Sequence, residues 1–84
     1  MNIRKDILSF VETSPAPAYG CHVNWDGNFY YAYTPEGLID KVIIDSLANV
    51  DEEIRKLDTF SEDHQGALQE LQFYRDYLTA GVNH

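Results

Sequence analysis

An α+β fold is predicted for this chain from three observations: an aromatic run at Tyr19–Thr34 that reads as a β-hairpin, helical apolar spacing on both sides of it, and a length of 84 residues. That length makes one domain, residues 1–84, close to the size at which a single core just suffices, so most apolar side chains are expected to be committed to packing. The predicted architecture is an N-terminal helix, an antiparallel hairpin or small sheet, then two or three helices packed on the aromatic face of the sheet.

The first helix is placed at Ile3 to Glu12, with Asn2 as its cap and with Ile3, Ile7, Phe10 and Val11 (or Leu8) on one side. Thr13-Ser14-Pro15-Ala16-Pro17 stops it, because each proline lacks a donor and disfavours helix in the residue before it. The segment reads as an extended connector.

The hairpin carries six of the eleven aromatics and turns over Asp26-Gly27-Asn28. Its register decides which aromatics are buried, since a slip of one residue exchanges the two faces. A two-residue loop, Asp26-Gly27, opposes Val23 to Tyr30 and Cys21 to Ala32, which leaves Phe29, Tyr31 and Tyr33 with His22 and Asn24. A three-residue loop pairs Trp25 with Phe29, Val23 with Tyr31 and Cys21 with Tyr33, giving one fully apolar face with Tyr30 on the other. The three-residue loop is the expected one, with Asn28 in the left-handed conformation.

Thr34-Pro35-Glu36 starts the next helix, with Thr34 as cap and proline at the first helical position. Ile39, Val42, Ile43, Leu47 and Val50 form its core stripe, widened by Leu38 and Ile44. A short strand over Lys41–Ile44 is the alternative, without turn residues on either side. Asn49 and Glu52 have capping-box spacing, so a break near Val50 is expected, with Ile54 and Leu57 buried beyond it. Thr59 with Glu62 opens the last helix, which runs to about Ala80 and ends at Gly81. Phe60, His64, Ala67, Leu68, Leu71, Tyr74 and Leu78 line its inner face, extended by Phe73 and Tyr77.

Fourteen acidic residues stand against six basic ones, a net charge of −8, and residues 36–84 hold eleven of those acids against four bases. Such a field repels nucleic acid and anionic membranes and speeds encounter with basic surfaces, so neither direct nucleic-acid binding nor membrane binding is expected. Cys21 stands alone, which fits a reducing cytoplasm, and charges interrupt every apolar run of MNIRKDILSFVE, against a signal peptide or membrane span. Cys21 and His22 point to opposite faces of a strand, so with the distant His64 and His84 they make no convergent zinc set; no metal or cofactor is expected. Ser9, Ser14, Ser46 and Ser61 lack a glycine elbow or an oriented base, so the chain is not expected to be an enzyme.

The acidic constellation is Asp51, Glu52, Glu53, Asp58, Glu62 and Asp63, six carboxylates within thirteen residues that also hold Arg55 and Lys56. Placed on helix starts, they are explained by capping and solvation. Placed toward a partner, they imitate a phosphate backbone and fit a groove lined with lysine and arginine. These six, with Tyr30 on the open hairpin face, are the candidate partner-binding residues. Their expected partner is a basic nucleic-acid-binding protein or nuclease complex, met by a monomer or homodimer.

Two resemblances follow from these residues. Asp45-Ser46-Leu47 resembles the attachment motif of acyl carrier proteins, which implies an alternative in which Ser46 carries phosphopantetheine. Taken whole, a short acidic chain with an N-terminal helix, a hairpin over Asp26-Gly27-Asn28 and an acidic helical second half resembles phage-encoded anti-CRISPR proteins and other DNA mimics. That resemblance implies inhibition of a nuclease complex by occupation of its DNA- or RNA-binding surface, in the cytoplasm of a host cell. An immunity protein or antitoxin neutralising a basic toxin would use the same acidic surface.

Overall fold

The computed structural model describes residues 2–13, 20–60 and 65–82, and the side chains of residues 58–60 and 65 are not among those described. It is an α+β fold with a three-stranded antiparallel sheet and three helices: α1 (Ile3–Phe10), β1 (Glu12–Thr13), β2 (Cys21–Trp25), β3 (Asn28–Ala32), α2 (Pro35–Phe60) and α3 (Gln65–Val82).

Asn2 caps α1 by accepting from the backbone N–H groups of Arg4 and Lys5, and α1 buries Ile3 and Ile7. The helix ends at Phe10, two residues short of the expected Glu12, because Glu12 and Thr13 leave it to pair with His22 and Cys21 as an edge strand. Phe10 and Leu8 are consequently exposed rather than part of the inner stripe.

The hairpin register differs from the expected one. Trp25 pairs with Asn28, Asn24 with Phe29, Val23 with Tyr30, His22 with Tyr31 and Cys21 with Ala32. The loop is therefore the two residues Asp26 and Gly27, both at positive φ (52° and 79°), a type I′ turn whose twist matches that of the flanking strands. Asn28 lies in the strand. Val23, Cys21 and Tyr30 face inward, whereas Phe29 and Tyr31 are exposed on the outer face, reversing the expectation for all three aromatics of β3. Gathering Trp25, Phe29, Tyr31 and Tyr33 on one face makes the sheet more amphipathic, but the Asp-Gly turn fixes the opposite parity. Tyr30 tolerates burial because its hydroxyl finds a partner in Asp45 on α2.

Thr34 caps α2 through a 3.1 Å hydrogen bond from the Gly37 N–H to Oγ1. Leu38, Ile39, Val42, Ile43 and Val50 are buried against the inner sheet face, α1 and α3, while Ile44 is 66 % exposed. No break occurs near Val50: α2 is one helix of 26 residues. The capping box at Asn49 and Glu52 is overridden because Ile43, Leu47, Val50, Ile54 and Leu57 continue the apolar stripe at helical spacing through that point. Thr59 and Phe60, expected to open the last helix, instead form the end of α2, and α3 starts at Gln65; Glu62 and His64 lie outside the described residues.

Gly81 lies within α3 and does not terminate it. A Cβ there would come within 2.5 Å of Ile3 Cγ2 and 2.8 Å of Ile43 Cδ1, so its missing side chain is what lets α3 approach α1 and α2. Leu78 is fully buried at the same junction, and Tyr77 Oη donates to Asp6. Phe73, expected to extend the inner face, is 78 % exposed.

Candidate functional site

On α2, Glu36, Asp40, Asp45, Glu52 and Glu53 are exposed and Asp51 is half-buried. At 1.5 Å of rise per residue this helix is about 39 Å long, and it carries seven acids against three bases. Several of these acids are held in place. Asp40 accepts from Arg4 at 2.8 Å, linking α2 to α1, and Asp51 accepts from Arg75 at 2.7 Å, linking α2 to α3. Glu52 lies 3.9 Å from Lys56 one turn on, and Glu53 is exposed beside the hairpin. Among the predicted binding residues Asp51, Glu52 and Glu53 occupy consecutive positions of one uninterrupted helix, about 100° apart around it, so that Asp51 turns to Arg75 of α3, Glu52 along the helix to Lys56 and Glu53 to the cleft beside the hairpin. Asp58 lies in its last turn with its side chain outside the described residues, as are Glu62 and Asp63.

Tyr30 does not belong to an open face. It is 8 % exposed, and its hydroxyl donates to Asp45 Oδ2 at 2.6 Å. Burial, then the hydrogen bond to Asp45 and that carboxylate's charge, push its phenol up to about 12. Burial and the contact with Asp6 likewise push Tyr77 upward. Ser46, the residue the carrier reading requires, is 6 % exposed and lies on the side of α2 that lines the cleft between the hairpin tip, α2 and α3.

Two features escape a reading of the sequence. The first is the outer sheet face, where Phe29 stacks on His22 at 5.5 Å between ring centroids and Tyr31 meets Tyr33 edge-on at 5.9 Å, with Glu12 bonded to His22 at 3.2 Å. Correct strand parity would have found it. The second is a cleft of about 630 Å³ between the hairpin tip, α2 and α3. Its aromatic wall is Phe10, Trp25 and Tyr74: Phe10 meets Trp25 edge-on at 6.0 Å, and Trp25 Nε1 donates to Tyr74 Oη at 3.0 Å. Its polar rim is Asn24, Asp26, Asn28, Asn49 and Glu53. No sequence spacing announces this cleft, because its parts come from five elements, α1, β2, β3, α2 and α3.

Among the described residues, no group of three or more histidine, cysteine or carboxylate side chains is placed to hold a metal ion, and no helix is long and apolar enough to cross a membrane. Comparison with family models, curated proteins and solved structures finds no match.

Proposed function

We propose that this chain is an acidic binding protein that blocks a basic nucleic-acid-binding protein or nuclease complex, in the manner of an anti-CRISPR or DNA mimic, by occupying its DNA- or RNA-binding surface. The observation that carries the reading is the continuity of α2. One uninterrupted helix, rather than two separate ones, carries Glu36, Asp40, Asp45, Glu52 and Glu53 along about 26 Å. The ion pairs from Asp40 and Asp51 to neighbouring helices contribute little stability at such exposure but restrict where those carboxylates sit. A basic groove that expects phosphates at regular intervals meets a rod of carboxylates instead.

The test is capture and competition. Immobilised protein should retain basic nucleic-acid-binding proteins, which excess DNA or RNA releases. Retention should fall steeply with added salt, because exposed charges are screened beyond roughly 8 Å at physiological ionic strength. Glu52→Lys with Glu53→Lys should weaken capture by about tenfold or more without lowering the unfolding midpoint, since both side chains are exposed. Capture indifferent to nucleic acid, salt and charge reversal refutes the proposal. A retained toxin that binds no nucleic acid refutes it in favour of the immunity-protein alternative.

A further inference from the structure

We infer that the cleft between the hairpin tip, α2 and α3 receives an arginine side chain of the partner. The inference deepens the proposed function and rests on it for the basic character of the partner; the chemistry of the cleft supplies the rest. Three aromatic rings, Phe10, Trp25 and Tyr74, make one wall. The indole N–H of Trp25 is already given to Tyr74, so that wall offers π faces and has no indole donor left to offer. Asp26 and Glu53 stand at the rim, and no lysine or arginine is among the described lining residues.

Each class of occupant can be weighed against that lining. An anion would meet two carboxylates and no cation. An apolar side chain would strip water from those carboxylates and leave them unpaired, at a cost that rises with burial. A guanidinium satisfies both parts at once, since its plane stacks on an aromatic face while its N–H fork bonds a carboxylate. The volume, about 630 Å³, exceeds what one such side chain needs and admits the backbone on either side of it. Trp25 and Tyr74 are held by each other and Trp25 is further packed by Phe10, so the aromatic wall is formed before the guest arrives.

Trp25 is the chain's one tryptophan and therefore an intrinsic reporter inside the proposed site. A short arginine-containing peptide, titrated at physiological ionic strength, should change its fluorescence saturably. The same peptide with citrulline, which keeps the shape and loses the charge, should bind at least about tenfold more weakly. Glu53→Gln should weaken the arginine peptide by about fivefold, and Phe10→Ala should weaken it through the lost aromatic contact. Glu12→Gln, outside the cleft, should leave it unchanged and so exclude attraction by net charge alone. The far-ultraviolet dichroism of each variant confirms that it is folded. Equal binding of the citrulline peptide, an absent saturable change, or equal losses in Glu53→Gln and Glu12→Gln would overturn the inference. If nucleic-acid competition succeeds while the peptide fails, the cleft assignment falls and the inhibitory reading stands. If the peptide binds while competition fails, the site stands without that function.

Discussion

The two ends of the molecule are built differently, although α2 runs through both. At the sheet end, α2 lies against β2 and β3 on one side and against α1 and α3 on the others, and Ile3, Ile7, Leu38, Val42, Ile43 and Leu78 are all at 1 % exposure or less. At the far end only α2 and α3 meet, and Ile54, Leu57 and Leu68 are half-buried. The apolar spacing is much the same in both. What differs is the number of layers: a helix stripe covered by one partner keeps its flanks in water, whereas one enclosed by a sheet and two helices does not. The far end is thus a two-helix stem, and the molecule reaches 51 Å in its longest dimension.

This contrast can be broken by two truncations. Leu78→Ala should cost roughly 2–5 kcal/mol, the range for a fully buried leucine whose surroundings collapse only in part. Ile54→Ala should cost only about 1 kcal/mol, since part of its surface is already wet. Denaturant unfolding of both variants checks the pair. Equal losses would mean that the stem is as well covered as the sheet end.

A smaller effect sharpens the same comparison from the polar side. Tyr30→Phe removes the hydroxyl bonded to Asp45 and should cost about 1 kcal/mol near neutral pH. The unfolded chain's tyrosines lose their protons near pH 10, whereas folded Tyr30 keeps its proton to about 12. A pKa raised on folding means that this stabilisation is complete below about pH 10 and is lost as pH rises from there through about 12. The unfolding midpoint of the wild type should therefore fall steeply across that window, and Tyr30→Phe should fall less steeply, with Tyr77 supplying the remainder. Parallel curves would show that Tyr30 is not protected on folding.

Local chemistry made part of this fold legible. Asn2 and Thr34 were readable as caps because capping is settled within three residues, and the hairpin was readable from its Asp-Gly turn and aromatic strands. The register was not. Its parity depends on Tyr30 meeting Asp45, a partner fifteen residues away, and on the turn geometry outweighing the tidier apolar face. The short β1 was invisible because Glu12 and Thr13 have no strand pattern of their own and become a strand only by pairing with β2. Gly81 reads as a terminator in sequence and acts as a gap in space. For the candidate site, the sequence supplied the consecutive acids of α2, while the cleft beside them depends on tertiary packing that brings Phe10, Trp25, Glu53 and Tyr74 together.

The junction of α1 with the end of α3 has a kinetic consequence. Arg4 bonds the Gly81 carbonyl across 77 positions and Tyr77 reaches Asp6 across 71, so the first helix finds part of its seat only when the last has formed. Closing so long a loop is entropically slow compared with making a hairpin or a helix. During synthesis α1 would leave the ribosome before the hairpin, α2 and α3, yet dock among the last of these elements. In pulsed hydrogen exchange during refolding, its amides should gain protection after those of β2, β3 and the first half of α2; protection of α1 ahead of the hairpin would show that its contacts with β2 and α2 suffice to hold it before α3 arrives.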